Sequence, residues 1–390
     1  MARDRADARS CVTSTRGYHY TMNFTELSKL IHALPLAQTA LLLGKPGIGK
    51  TALGRDVARL MTEARRKDEP SAPEAVCHVV DLSSSLPEDI SGLPFPQGDV
   101  TEYKPTAWVH DLCRPDAYGV LILDDLPAAT QAVQVACRQI ALERRVHRFA
   151  FAPGVRVIVT GNRREDKSAS TTLPAHFRNS CVMLPVEPDI EEWCRWASDE
   201  QIPGVIQAYL RFRPAKLAMV PKDADEQGAF ATPRTWAMLG RCYNAASTHD
   251  AVLDVAAGLV GQGVAVEFTA FQRLRHELPD PKLILSDPHR YMPTPPTEPD
   301  RLIAVATALA EYTAKEVAGS RGANRQDTLV RFLVALAHVT RNNREYCSMA
   351  VSTFTAMKGN LHELGGAALI AKKSSADVEA LIRFLTKAVR

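Results

Sequence analysis

The stretch TALLLGKPGIGKTALGRDVARLM, residues 39–61, decides the fold. It opens with an apolar run, continues at once into GKPGIGKT (44–51), and then repeats apolar residues at helical spacing: Leu53, Val57, Leu60 and Met61. Strand, glycine-rich turn and helix, in that order, form the setting in which a GxxxxGK[ST] loop grips phosphate. Gly44, Gly47 and Gly49 let backbone N–H groups converge on an anion, because side chains there would block the approach and forbid the dihedral angles required. The helix beginning near Gly49 points its positive end at the same place.

The rest of the loop specifies the anion. Lys50 supplies a point charge for β and γ phosphates, and the Thr51 hydroxyl can ligate the magnesium ion that bridges them. ATP and Mg2+ are therefore the expected ligands, with Gly44, Lys45, Pro46, Gly47, Ile48, Gly49, Lys50, Thr51 and Ala52 as the nucleotide-binding set.

Further apolar runs follow at 76–82, 120–123, 155–160 and 181–186, which with 39–43 predict five buried strands. Helical patterns lie between them, as in Val133, Cys137, Ile140 and Ala141. The alternation predicts an α/β fold with a parallel five-stranded sheet and helices on both faces, whose ligands bind beyond the carboxyl ends of the strands. The third strand, GVLILDD, delivers Asp124 and Asp125 to that edge. Asp124 suits a magnesium ion held through its water shell, together with Thr51, and Asp125 suits orienting or deprotonating the attacking water. Two aspartates before Pro127 are also an ordinary end to a strand. The fourth strand, VRVIVT, runs into Gly161 and Asn162; that amide can reach the γ phosphate or the water, or can simply be a turn residue.

Bulk properties fit this class. The chain has 390 residues, enough for two or three domains, with 46% hydrophobic and 23% charged residues. A net charge of +3 does not call for a polyanion, so a nucleic-acid partner is not expected. The eight cysteines are scattered, without CxxC pairs or zinc spacing, as in a reduced cytoplasmic protein. Residues 1–22 carry several arginines with no apolar stretch behind them, and are expected to be a disordered extension rather than a secretory signal, with Met22 as an alternative start. The weakly apolar run 253–268 is too short and too interrupted to span a membrane.

Residues 23–188 thus read as the nucleotide-binding α/β domain. Helices are predicted at 190–198, 204–212, 233–246 and 266–278, forming a second unit over 189–280. The proline-rich segment 281–300 predicts an extended linker. A C-terminal helical region over 301–390 follows, with helices at 301–317, 325–340, 345–357 and 376–388.

Several segments, taken in order, resemble the MoxR-like branch of the AAA+ ATPases, related to the dynein and midasin type. Beyond the P-loop these are DLSSSLPEDISGLPFP (81–96), LILDDLPAATQAVQ (121–134), VIVTGNRRED (157–166), LPAHFRN (173–179), VEPDIEEW (186–193) and ATPRTW (231–236). The resemblance covers residues 36–241. It implies a P-loop NTPase domain followed by an all-α lid, assembly as a homo-oligomeric, typically hexameric ring, ATP hydrolysis, and remodelling or assembly work with a partner carrying a von Willebrand factor A domain. By position, Asn162 resembles the sensor 1 residue and Arg234 the sensor 2 arginine. The chain departs from the pattern twice: Asp125 stands where relatives mostly carry Glu, and Ser180 stands at the usual arginine-finger position, leaving Arg178 as the nearest substitute. A nucleotide-gated scaffold with little turnover, or less plausibly a DNA-processing ATPase, are the alternatives. The resemblance also places Phe95 and Trp108 partly near a central pore, although packing onto the sheet suits them equally. It reads 144–151 as a small hairpin that shapes the ring. The cluster Arg163, Arg164 and Lys167, diluted by Glu165 and Asp166, reads as a solvated or nucleotide-proximal turn.

Overall fold

The computed structural model describes residues 22–163, 174–220, 228–243, 245, 248–357, 359–371 and 376–388. The expected extension before Met22, and Arg164, Glu165, Asp166, Lys167 and Leu173, lie outside the described residues.

Helix α1 (Phe24–Ala33) leads into strand β1 (Ala40–Leu43), the glycine loop and helix α2 (Lys50–Asp68). Strand β2 (Val76–Asp81), helix α3 (Pro87–Ser91), the hairpin β3 (Leu93–Gln97) and β4 (Val100–Lys104), and helix α4 (Ala107–Leu112) come next. Strand β5 (Tyr118–Asp124) and helix α5 (Gln131–Glu143) are followed by a second hairpin, β6 (Arg145–Val146) and β7 (Phe149–Ala150), and by strand β8 (Gly154–Gly161). Helix α6 (Ala175–Ser180) and strand β9 (Val182–Pro185) complete the unit. Five strands form one parallel sheet in the order β2-β5-β8-β1-β9.

The two faces of this sheet are covered by different helices. Because side chains alternate along a strand, Leu42, Ile122 and Ile158 pack with Leu27, Ile31, Leu53, Val57 and Met61 of α1 and α2. Leu41, Leu121, Leu123, Val157 and Val159 pack with Val133, Cys137 and Ile140 of α5 and Phe177 of α6. Double coverage explains why the central strands read as unbroken apolar runs. The expectation of buried strands at 76–82 and 181–186 needs correction: β2 and β9 are the edge strands, and Val76, Val79 and Met183 are exposed.

The two hairpins meet at the surface, where Arg148 donates to Glu102 at 2.7 and 3.1 Å and Tyr103 stacks on His147 with ring centroids 4.1 Å apart. Trp108 packs, donating to the Asp89 carbonyl at 3.3 Å and meeting Phe151 edge-on, whereas Phe95 is exposed with Lys104 over its ring.

Beyond the sheet the described chain is helical: α7 (Ile190–Asp199), α8 (Gly204–Phe212), α9 (Pro233–Tyr243), α10 (His249–Val260) and α11 (Gln262–His276) gather around Tyr209, Trp236 and Phe268. Gly261, at φ 91°, separates α10 from α11. No helix among the described residues is long and apolar enough to cross a membrane. The expectation of an extended segment over 281–300 is corrected by two short helices, α12 (Pro281–Ser286) and α13 (Pro288–Tyr291). Each starts on an Asp-Pro pair: Asp280 and Asp287 accept from the N–H of Lys282 and Arg290, while the prolines occupy first-turn positions that have no hydrogen bond to lose. Ile284, Leu285 and Met292 enter the core formed by α14 (Pro299–Gly319), α15 (Ala323–Val339), α16 (Glu345–Ala356), α17 (Leu361–Ala371) and α18 (Ala376–Ala388).

Close approach of β2 to β5 depends on Gly119, where an added Cβ would stand 2.0 Å from the Val76 carbonyl oxygen. Gly119→Ala is expected to cost about 1–3 kcal/mol of stability. Gly258→Ala, on open helix surface, should be neutral or stabilising by up to about 1 kcal/mol. Thermal unfolding of the two variants checks the contrast, and an unperturbed Gly119→Ala protein would contradict the packing.

Candidate functional site

The glycine loop sits at the carboxyl end of β1 and is anchored by Ile48, which is buried in the core shared with α2. Gly47 and Gly49 adopt φ of 73° and 104°, the left-handed region where a side chain is strained, and α2 starts at Lys50 directly after Gly49. Gly44 differs from the expectation. It is outside the left-handed region, and a Cβ there would lie 2.4 Å from the Val186 carbonyl oxygen, so it is required by packing against the end of β9.

Lys50 is buried and its ammonium donates to the carbonyls of Gly44 (2.7 Å) and Lys45 (2.9 Å) and to Asn162 Oδ1 (2.7 Å). Asn162, just past β8, in turn donates from Nδ2 toward Asp125 Oδ1 at 3.4 Å. Burial pushes the Asp125 carboxyl above the ordinary carboxylate range; Lys50 opposes the shift, while Asp124 and Asp81 add to it. A carboxylate of raised proton affinity beside the loop lysine is suited to accept a proton from water.

The neighbouring pair has the chemistry to suit a cation. Thr51 Oγ1 donates to the Asp124 carboxylate at 2.9 and 3.1 Å, joining the first turn of α2 to the end of β5. One hydroxyl and one carboxylate fit Mg2+, which takes few protein ligands and completes its shell with water and phosphate oxygens. Among the described residues no group of three or more His, Cys, Asp or Glu side chains could hold a metal ion.

Thr160 went unrecognised in the sequence. Fully buried at the end of β8, its hydroxyl donates to Asp124 Oδ1 at 2.5 Å and accepts from the Asp125 N–H at 2.9 Å. The trace in the sequence is a polar residue near the end of a strand whose other residues, Arg156 apart, are apolar or glycine.

The remaining expected residues are placed as follows. Arg234 lies in the first turn of α9; its backbone N–H donates to the Gly47 carbonyl at 3.1 Å and its side chain is exposed. Thr232 and Thr235 cap one another's backbone N–H groups there, and Thr232 Oγ1 presses on Gly47. The helical layer therefore touches the loop through backbone and Thr232. Arg163 pairs with Glu187 and donates to the Val186 carbonyl. Arg178 is exposed on α6 and is not brought to the site, and the Ser180 carbonyl accepts from Gln38. Ala52 is exposed one residue beyond Thr51.

Sheet order, glycine loop and strand-end carboxylates together define a P-loop NTPase fold with a following all-helical region. No protein-family model matches the chain, and no curated protein matches it. Among solved structures it is similar to a Thermotoga maritima RuvB mutant, at 15% identity and TM-score 0.37, over 74% of this chain and 84% of that one. It is also similar to C. elegans PCH-2, at 14% identity and TM-score 0.29, over 73% of this chain and 66% of that one. A candidate ATPase from Cytophaga hutchinsonii is similar at 15% identity and TM-score 0.30, over 60% of this chain and 80% of that one.

Any side chain at position 47 must take the left-handed conformation and stand 2.8 Å from Thr232 Oγ1. Gly47→Ala is expected to weaken ATP binding about tenfold or more. Titration with a fluorescent ATP analogue reads this directly, and an unchanged affinity would remove the loop from the binding site.

Proposed function

We propose that this chain binds ATP with magnesium and hydrolyses it, as an AAA+ ATPase of the MoxR-like type working in a ring. The observation that carries the proposal is the convergence of two bonded pairs on one sheet edge: Lys50 with Asn162, and Thr51 with Asp124. In this reading the loop amides and Lys50 hold the β and γ phosphates, and Asn162 and Asp125 orient the water. Magnesium, when bound, neutralises charge developing between the phosphates. Asp125 takes the proton, helped by the burial that raises its proton affinity.

Ring assembly would supply what a single chain lacks. The exposed Arg178 is available to a neighbouring subunit's nucleotide, and the exposed Arg234, whose backbone already bonds the loop, to its own. Trans arginines of this kind are worth about a thousandfold or more in rate. A hexamer acting on a protein partner with a von Willebrand factor A domain, in the cytoplasm, is the form of this function that the sequence resemblance favours. Asp125, one methylene shorter than the usual glutamate, favours slow turnover, and in the limit a nucleotide-gated scaffold.

Steady-state phosphate release separates these. Lys50→Ala and Asp124→Asn are expected to lower release at least about a hundredfold, and Asp125→Ala to retain bound ATP while losing turnover. Equal, background-level release from the wild type and all three variants would support the scaffold instead.

A further inference from the structure

The backbone ladder between β5 and β8 ends at Leu123 opposite Val159, one residue short of the two aspartates. On its other side Asp124 is still held, paired with Asp81 and accepting from the Leu82 N–H at 3.0 Å. Toward β8 the ladder is replaced by a side chain. Thr160 accepts from the Asp125 N–H at 2.9 Å and gives its own proton to Asp124 Oδ1 at 2.5 Å. A hydroxyl has one proton and a carboxylate can only accept, so with the amide on its lone pair the direction of both bonds is determined. The side chain is fully buried, which removes water as a substitute partner.

Two consequences follow for the groups at the site. Thr160 holds Oδ1, which fixes the rotation of the Asp124 carboxylate, and Thr51 Oγ1 lies 2.9 Å from Oδ2 and 3.1 Å from Oδ1 of the same group, the place where a cation would be shared. Asp125 adopts φ 56° and ψ 47°, a left-handed conformation that aspartate tolerates better than most residues, and its N–H is held by Thr160. That backbone turn places its carboxylate near Asn162 Nδ2.

We propose that Thr160 is a positioning residue for hydrolysis, one buried hydroxyl that aims the metal-holding carboxylate and the water-activating carboxylate together. It touches neither nucleotide nor water and acts through Asp124 and Asp125. The inference rests on the ATPase reading above. A threonine that merely filled the core would be replaced by valine, of the same shape, without consequence.

The test compares Thr160→Val and Thr160→Ser with the wild type, measuring kcat, KM for Mg-ATP, and equilibrium affinity for a fluorescent ATP analogue in magnesium and in EDTA. In the valine variant kcat is expected to fall about 10- to 100-fold, as for loss of a hydrogen bond to a charged group, with KM within about threefold. Its affinity in EDTA stays at the wild-type value, while the gain in affinity on adding magnesium shrinks. Serine, which restores the hydroxyl, returns kcat to within about threefold of wild type. A valine variant with wild-type kcat and magnesium response overturns the proposal, as does a serine variant as impaired as valine. Circular dichroism establishes that each variant is folded. Should the valine protein fail to fold, Thr160→Cys, a weak donor of similar size, is expected to give an intermediate kcat, and wild-type values there would also overturn the proposal. A wild-type protein that neither binds nor hydrolyses ATP removes the ATPase reading and this inference together, whereas active wild type with an indifferent position 160 removes this inference alone.

Discussion

Parallel strands of one sheet end side by side, and the arrangement of this protein's site depends on where β1, β5 and β8 stop relative to one another. The register that pairs Leu42 with Thr160 and Leu123 with Val159 brings the loop after β1, the aspartates after β5 and Asn162 after β8 to one edge. These groups are more than thirty residues apart in sequence, and the register joins them. The bonds Lys50 to Asn162, Thr51 to Asp124 and Thr160 to Asp124 then link three neighbouring strand ends directly. Such bonds to charged groups are stronger than neutral ones, and the Lys50 and Thr160 side chains that make two of them are buried. The apolar core on both faces of the sheet is what makes the register unique, because a one-residue slip would turn Leu41, Leu121 and Val157 to the wrong helices.

The sheet was legible because double-sided burial leaves long apolar runs, and the glycine loop was legible because its residue types follow from anion geometry. Edge position was not legible. Val76 and Val79 look like core residues, but which strand has only one neighbour is settled by the crossovers. The helices at Pro281–Ser286 and Pro288–Tyr291 were hidden by counting prolines instead of noting that each follows an aspartate cap. Helices α10 and α17 were missed for a related reason: alanine and glycine dilute the apolar stripe that periodicity detects, in a region where Gly261 also ends one helix and begins the next.

At the site, residue type and spacing pointed to Lys50, Thr51, Asp124, Asp125 and Asn162, which the structure brings to one sheet edge. It could not find Thr160, whose role comes from a strand register. Nor could it show that Gly44 serves packing against Val186 while Gly47 and Gly49 serve conformation. Arg234 illustrates a different limit. The segment ATPRTW does reach the loop, through the Arg234 backbone and Thr232, while the guanidinium faces outward. Sequence marks the segment, and side-chain direction is not written in it.

One structural determination tests the account most directly: the protein crystallised with a non-hydrolysable ATP analogue and magnesium. The β phosphate is expected against the backbone N–H groups of residues 47–51 and the Lys50 ammonium, with the metal beside the Thr51 hydroxyl and water-linked to Asp124. A nucleotide bound elsewhere, or a metal held away from both Thr51 and Asp124, would contradict it.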